Sequence, residues 1–350
     1  MTMQLLSLAD FRRKFSADVD ALPWNVCLIG WSPRDQAWSV GPSRLEHRRW
    51  FRTDRLKHCQ GTFRRWLPVL LKFLDGYVVE GKRQEPFWFA FCFYDGWRER
   101  IGFSPDYRPV APTWRTASMI EWVGQTGEYP VFSVRQPWVV CYCAHEGDPS
   151  AWLWPEGHFL ERNHYRDMFA EVAQAVRPWA QRQARAIFCA GNHGEVTNFL
   201  PPLVPGRPHP RAWLAQVVAR EGLAMDVYLG ERISRAHQMG YRYLLDVDGY
   251  SRTWDAWAWK LMSGSVVLSP ASPWQGFFTR QFQPWEHYVP VANDFSDLGE
   301  RLQWCRDNDA ECEAIARRAG ERAAEVYTPE FAAGQLRTEW ARRFSTPGAV

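Results

Sequence analysis

A short stretch between residues 246 and 253 has the residue types that hold a phosphate group or a metal ion. Asp246 and Asp248 are two positions apart, so in a strand both carboxylates would lie on one face, as in an Asp-x-Asp metal site. The alternative is a phosphate group held by the loop from Gly249 to Thr253 and by the N-terminus of the helix that follows. Either alternative gives a nucleotide-type site.

The residues around this stretch predict one strand–helix–strand unit of a parallel sheet. Tyr241 to Val247 is a short apolar run typical of a buried strand, and the turn pair Asp248-Gly249 ends it. Gly249 is expected to supply a backbone conformation that other residues resist. Asp255 to Met262 predicts a helix, and Val266 to Leu268 predicts the second strand. Because parallel sheets bind ligands at the carboxyl ends of their strands, the loop after Asp248 is the expected site.

The same segment resembles the C-terminal half of glycosyltransferase family 90, which contains capsule-associated proteins, bacterial lipopolysaccharide-modifying enzymes and protein O-glucosyltransferases. The matching motifs are, in chain order, Tyr241-Arg242-Tyr243, Asp248-Gly249, Ser263-Gly264-Ser265, Ser272-Pro273-Trp274, Pro284 to Pro290, and Asp294 to Leu298. The resemblance implies an α/β fold with two Rossmann-like domains facing one another across a cleft, the GT-B arrangement. Residues 1–180 would form the acceptor-side domain, with a helix at about 329–345 packing back on it, and residues 181–328 would bind the nucleotide-sugar.

The resemblance also implies an activity, namely the inverting transfer of a sugar such as glucose or xylose from a UDP-sugar to a hydroxyl group of a saccharide. No metal or other cofactor is expected. The residues expected to bind the nucleotide-sugar are Gly191, Asn192, His193, His237, Asp248, Gly249, Ser251, Arg252, Thr253, Lys260, Gly264 and Ser265. Many family members carry an arginine early in the helix after the loop. Here Arg252 or Lys260 would have to take its place.

A glycine-rich loop upstream is the second part of the expected nucleotide site. Arg185 to Ala190 predicts the first strand of the C-terminal domain, and Gly191-Asn192-His193-Gly194 follows it. In the family, this loop approaches the donor phosphates and carries an arginine, which is missing here. His193 or the backbone N–H groups would replace it. By resemblance His237 lies near the nucleotide base, and a surface histidine on a helix is the alternative.

Asp95 is the candidate general base. Phe87 to Tyr94 is a run of eight apolar residues that predicts a buried strand, and Asp95-Gly96 ends it. In the family, a strand in the first third of the chain ends in the aspartate that acts as the base. An Asp-Gly turn that only closes a loop is the alternative reading of this pair. Asp148, in a later loop, is the reserve candidate.

Length and charge restrict the partners. A chain of 350 residues is comfortable for two domains. The 42 basic and 39 acidic side chains leave a formal net charge of +3, which does not favour nucleic acid as a partner. No window reaches the roughly eighteen apolar residues of a membrane span, and the N-terminus lacks the pattern of a signal peptide. A cytoplasmic protein is therefore expected.

The absence of a signal favours the bacterial surface-polysaccharide branch of the family. The expected acceptor is a lipopolysaccharide core or capsule intermediate, lipid-linked and met at the inner face of the cytoplasmic membrane. Basic and aromatic residues such as Phe11 to Lys14 and Arg48 to Arg52 suit either a peripheral membrane contact or a solvated helix face. One rival is a catalytically inactive, saccharide-binding relative, which the altered phosphate loops favour. The other is a kinase, which the lack of a GxxxxGK[ST] loop disfavours.

Overall fold

The computed structural model describes residues 3–16, 26–41, 67–75, 86–92, 139–146, 151–194 and 198–344. These residues form two compact units. Unit 1 contains the described residues up to Glu161 together with the helix Pro329–Phe344, and unit 2 contains those from Arg162 to Thr328. No helix in these ranges has the length and apolar character that crossing a membrane requires.

Unit 1 is built on a mixed six-stranded sheet in the order β1-β3-β2-β4-β5-β7. Its strands are β1 (Met3–Leu5), β2 (Val26–Ser32), β3 (Ala37–Gly41), β4 (Phe87–Cys92), β5 (Val139–Cys141) and β7 (Ala151–Leu153). Strand β2 runs antiparallel to both of its neighbours, whereas the other pairs are parallel. The connection between β2 and β3 has only four residues, 33–36, which is too short for a parallel crossover. The sheet therefore departs from the all-parallel pattern expected of a Rossmann-like domain.

Aromatic side chains cover this sheet. The helices of unit 1 are Leu8–Phe15, residues 67–75, Gly157–Glu161 and Pro329–Phe344. Phe15 packs so closely on β2 that a Cβ atom on Gly30 would lie 2.5 Å from its ring. In the last helix, the Trp340 ring lies 5.1 Å from that of Phe87 and 5.5 Å from that of Trp152. Burial of these large rings supplies much of the apolar core of unit 1.

Unit 2 is built on a five-stranded parallel sheet in the order β13-β11-β10-β8-β9. Its strands are β8 (Gln183–Ala190), β9 (Met225–Leu229), β10 (Tyr241–Leu245), β11 (Val266–Pro270) and β13 (Val289–Val291). Two further short strands lie outside the two large sheets: β6 (Cys143–His145) in unit 1 and β12 (Trp274–Gly276) in unit 2. The chain passes from β8 outward to β9 and then returns to place β10 on the other side of β8. Such a reversal of strand order is the switch point at which open α/β sheets bind ligands.

The predicted strand–helix–strand unit is present. Its two strands are β10 and β11, which pair in parallel, and its helix is Ala256–Met262. Strand β10 ends at Leu245, two residues earlier than predicted, so Asp246 begins the loop, although its N–H still donates to Leu268 O (2.9 Å). The remaining helices of unit 2 are Arg166–Ala175, Pro210–Glu221, Arg235–Gln238, Leu298–Asp307 and Asp309–Val326.

Candidate functional site

The switch point of unit 2 lies between the carboxyl ends of β8 and β10. The loop 191–194 follows β8, and the loop 246–255 follows β10. The imidazole of His193 in the first loop stacks on the ring of Tyr250 in the second, with ring centres 5.0 Å apart and planes 11° from parallel. The two loops that the sequence singles out are therefore in contact at the edge of the sheet where ligand binding is expected.

Arg211 forms hydrogen bonds with both loops. It lies in the first turn of the helix Pro210–Glu221, and its Nε donates to Val247 O (3.1 Å) while its Nη1 donates to Gly191 O (3.2 Å). Its Nη2 lies 2.9 Å from the position that a Cβ atom on Gly249 would occupy. Gly249 is not in the left-handed region, so glycine is needed here to admit the guanidinium and not, as predicted, for an unusual turn conformation.

Asn198 connects the second loop to strand β12 and to the loop that follows β13. Its side chain is buried, with Nδ2 donating to Gly249 O (2.7 Å) and Oδ1 accepting from Trp274 Nε1 (2.7 Å). Its own carbonyl accepts from Asn293 Nδ2 (3.1 Å). Because an asparagine amide has both a donor and an acceptor end, one side chain joins the second loop to β12.

Asp246 is the centre of a buried ion cluster beneath the loop. Lys260 Nζ donates to Asp246 Oδ1 (2.7 Å) and to Leu245 O (2.7 Å), and the Arg252 guanidinium lies 3.7 Å from Asp246 Oδ2. Burial raises the pKa of Asp246, but the charges of Lys260 and Arg252 outweigh that effect, so the pKa lies below its ordinary value. Asp246 therefore carries a charge that these two cations compensate.

The pKa of Asp248 is shifted in the opposite direction to that of Asp246. It accepts a hydrogen bond from Ser272 Oγ, and Arg252 Nε lies 3.7 Å from its Oδ1. Burial nevertheless dominates and raises the pKa of Asp248 above its ordinary value. Arg252 itself donates to Ser269 Oγ and lies 4.6 Å from the centre of the Trp257 ring. Two carboxylates two residues apart thus have pKa values moved in opposite directions.

The structure brings most of the predicted nucleotide-sugar residues to this edge. They are Gly191, Asn192, His193, Asp248, Gly249, Ser251, Arg252 and Thr253, in the loops 191–194 and 246–255. Asn192 is exposed, and the hydroxyl groups of Ser251 and Thr253 are 3.2 Å apart. Asp95 and the reserve candidate Asp148 lie outside the described residues, as do residues 195–197.

Three predicted residues lie at the opposite edge of the sheet. Ser265 immediately precedes β11, at the amino ends of the strands. Its Oγ donates to Tyr241 O (2.7 Å) and accepts from Arg182 Nη1 (2.6 Å). Gly264 precedes it with φ +71°, a conformation that ends the helix. His237 is exposed, and its ring centre is 5.8 Å from that of Tyr241. The structure therefore does not bring Gly264, Ser265 and His237 together with the residues of the candidate site, and their part in nucleotide-sugar binding stays a prediction.

Lys260 also differs from its prediction. A substitute for the missing phosphate-binding arginine has to reach the ligand, but Lys260 is only 4% exposed and holds Asp246. All five residues from Trp257 to Leu261 are buried, so this stretch of the helix Ala256–Met262 has no solvent-facing side for the charge of Lys260. Its role is to fix the charge and position of Asp246.

Arg211 and Asn198 were missed by the reasoning from sequence. Arg211 leaves one recognisable signal, because a cation in the first turn of a helix opposes the helix dipole and so suggests a partner outside that helix. Asn198 leaves none that we can identify. In the described ranges, no group of three or more His, Cys, Asp or Glu side chains is placed to hold a metal ion.

Comparison with known proteins supplies the family. Protein O-glucosyltransferase 1 of Rattus norvegicus is 26% identical over 223 residues, covering 62% of this chain and 54% of that protein. Uncharacterized protein 027R of Frog virus 3 is 46% identical over 82 residues, covering 22% of this chain and 8% of the viral protein. The chain thus spans about half or less of the length of these curated relatives. Among solved structures, Anabaena Alr3699/HepE in complex with UDP has 10% identity and a TM-score of 0.37, covering 59% of this chain and 64% of that one. Residues 148–328 match the model of glycosyl transferase family 90, and since this is more than half of the 350 residues, the chain belongs to that family.

Proposed function

We propose that the protein transfers a sugar from a UDP-sugar to a hydroxyl group of a saccharide, with inversion at the transferred carbon. The observation that carries this proposal is the switch point of unit 2, where Arg211 and the His193–Tyr250 stack hold two glycine-containing loops together. Membership of glycosyl transferase family 90 and the glucosyltransferases among its relatives support sugar transfer and a hexose donor.

The diphosphate is assigned to the two loops and not to the N-terminus of the helix Ala256–Met262. Asp255 stands at the start of that helix, where its carboxylate accepts from Arg235 (2.8 Å) and lies 3.5 Å from Arg162. Arg235 also lies 3.6 Å from Glu171, so two carboxylates balance the two arginines there and leave no excess positive charge for a phosphate. At the loops, by contrast, Arg211, Arg252 and Lys260 outnumber the carboxylates of Asp246 and Asp248, so the cluster favours an anion.

In the proposed reaction, an acceptor oxygen attacks the sugar carbon from the face opposite the diphosphate. A new carbon–oxygen bond forms, the bond to the diphosphate breaks, and UDP leaves with the electron pair. Loop N–H groups and the guanidinium of Arg252 stabilise the charge that develops on UDP. Asp95 is the proposed base that takes the proton of the acceptor hydroxyl.

Metal independence is part of the proposal. A divalent ion between Asp246 and Asp248 would have to displace Lys260 from the first carboxylate, and Ser272 and Arg252 from the second. Instead, these carboxylates hold the cations of the cluster in place. Three further proposals rest on the family resemblance. They are the two-domain GT-B arrangement, an acceptor that is a lipopolysaccharide or capsule intermediate, and activity at the inner face of the cytoplasmic membrane.

A series of thermal unfolding measurements with UDP, GDP, CMP and ATP tests the proposal, each with Mg²⁺ and with EDTA. A ligand present at a hundred times its dissociation constant stabilises the folded protein by about 2.7 kcal/mol. We expect UDP to raise the melting temperature equally under both conditions. A shift that requires Mg²⁺ would contradict metal independence, and the absence of a shift with every nucleotide would contradict the transferase proposal.

The variant Arg211→Met tests the contribution of a single residue in the same series of measurements. The change removes the two hydrogen bonds that join the loops, so the UDP-induced shift should fall. Arg220→Met is the matched control, because Arg220 lies at the other end of the same helix with an exposed side chain paired to Glu221. The second variant should respond to UDP like the wild type.

A further inference from the structure

His209 lies beside the point where the two loops of the candidate site meet. A Cβ atom on Gly194, the last residue of the loop 191–194, would lie 3.3 Å from His209 Nδ1 and 3.1 Å from Gly249 O in the second loop. His209 also stands two positions before Arg211, which donates to one carbonyl group of each loop. The imidazole therefore belongs to the region proposed for the diphosphate.

The side chain of His209 caps the helix Pro210–Glu221, but capping alone does not explain a histidine. Its Nδ1 accepts a hydrogen bond from Ala212 N at 3.4 Å, which is long for such a bond. Serine, threonine, aspartate and asparagine are the residues preferred at an N-cap, and each has an acceptor atom close to the backbone. What histidine adds at this position is a second ring nitrogen, Nε2, which lies further from the backbone.

The cap bond determines which ring nitrogen carries the proton. Because Nδ1 accepts from Ala212 N, it has no proton, so the neutral ring of His209 carries its proton on Nε2 and donates from there. Burial and then the charge of Arg211 lower the pKa of His209, so the ring is neutral at pH 7. Nε2 has no hydrogen-bond partner among the residues that the structure describes, and the ring is only half-buried. Its N–H group is therefore available to a ligand.

The first turn of this helix has few backbone donors to offer an anion. In a doubly wound sheet, phosphate groups bind where the helix after the first strand begins. Here Pro210, the first helical residue, has no N–H group, and the N–H of Ala212 donates to the cap. Two of the first three amides are thus not available for phosphate. The Nε2–H of His209 supplies a donor at the same end of the helix.

We propose that His209 binds the diphosphate of the UDP-sugar through Nε2–H, an inference that rests on the proposed function. A hydrogen bond to a charged acceptor is stronger than one between neutral groups. This bond strengthens as the bond to the sugar breaks, because negative charge then accumulates on the diphosphate. A neutral imidazole does not give up its N–H proton, so His209 stabilises the leaving group without protonating it.

Two substitutions separate the roles of the two ring nitrogens. His209→Asn keeps an acceptor for Ala212 N and removes the atom at the position of Nε2. His209→Gln can place a donor near the position of Nε2, but glutamine is not a preferred cap. In isothermal titration with UDP, the dissociation constant should be about tenfold higher in His209→Asn than in the wild type. In His209→Gln it should stay close to the wild-type value.

Thermal unfolding of the same variants without ligand should give the opposite order. His209→Asn should melt no lower than the wild type, because asparagine is a preferred cap, whereas His209→Gln should melt about 2–4 °C lower. Arg220→Met, at the other end of the helix, is the control that should change neither the melting temperature nor the affinity for UDP.

The outcomes distinguish this inference from the proposed function. If the affinity for UDP falls in both His209 variants or in neither, or follows their melting temperatures, the assignment of His209 is overturned while the proposed function stands. A wild-type protein that does not bind UDP would overturn the proposed function and this inference together.

Discussion

Replacing Lys260 by methionine tests the buried ion cluster, because the change keeps the length of the side chain and removes its charge. The ammonium lies 2.7 Å from Asp246 Oδ1. At that distance and an effective dielectric constant of about 20, the attraction is worth about 6 kcal/mol. Arg252, 3.7 Å from the other carboxylate oxygen, keeps part of the compensation, and the variant no longer has to bury an ammonium. We therefore expect a loss of about 3 kcal/mol in the free energy of unfolding.

The pH dependence of this loss gives a second prediction of known sign. In the wild type the pKa of Asp246 is lowered, so the stability it contributes is present above the unfolded value of about 3.9 and is lost as the pH falls through the folded value. Without Lys260, burial dominates and raises that pKa above the unfolded value. Protonation of Asp246 at lower pH then removes the unpaired buried charge from the variant. The difference in unfolding free energy between the wild type and the variant should therefore be larger at pH 7 than at pH 5.

Urea denaturation followed by circular dichroism measures both effects. Asp246→Asn combined with Lys260→Met should be less destabilised than the two single changes predict together, because no unpaired buried charge remains. Arg317→Met is the surface control, since its pair with Glu321 is 63% exposed on both sides and worth about 0.5 kcal/mol at most. A loss of less than about 1 kcal/mol in Lys260→Met, with no dependence on pH, would refute the buried pair.

Three further predictions follow from other parts of the chain. Gly249→Ala should displace the end of the Arg211 side chain and weaken its two hydrogen bonds, which costs about 1 kcal/mol and lowers the affinity for UDP, whereas Gly334→Ala, in an open helical position, should be neutral or stabilising by calorimetry. His287 accepts a backbone hydrogen bond through Nδ1, and burial lowers its pKa, so its contribution is lost as the pH falls below the unfolded value of about 6.5. In His287→Asn, the decline in unfolding free energy between pH 7 and pH 5 should be smaller; an unchanged decline would contradict the assignment. Asp95→Asn should abolish sugar transfer in a radiolabel assay while UDP binding persists, and retained turnover would remove Asp95 as the base.

Local sequence patterns predicted the centre of unit 2 well. Apolar runs gave β10 and β11, the helix between them was predicted to within one residue, and Gly264 ends that helix with a positive φ. These features depend on neighbours in sequence, so periodicity and turn residues are sufficient to find them. The antiparallel direction of β2 was not predicted, although the short polar segment between β2 and β3 contained a signal for a tight connection.

The contacts that build the site depend on distant parts of the chain. Arg211 is 36 residues from Val247, and Asn198 is 51 residues from Gly249. No periodicity links such pairs, and they become visible only when parallel strands bring their carboxyl ends together. The burial of Lys260 was not predictable from helical spacing, because all five residues from Trp257 to Leu261 are buried. The charge of a lysine favours the surface, and the carboxylate that holds Lys260 in the interior, Asp246, comes from the loop that follows β10.

The discontinuous make-up of unit 1 has a consequence for the order of events on the ribosome. Helix Pro329–Phe344 belongs to unit 1 but follows all of unit 2 in the chain, so Trp340 is synthesised after every strand of the parallel sheet. Until then, Phe87 and Trp152 lack the indole that packs against both of them. Nascent domains usually mature from the N-terminus onward. In this chain the later unit can complete its core first, and the aromatic surface of the earlier unit is the one that chaperones would meet.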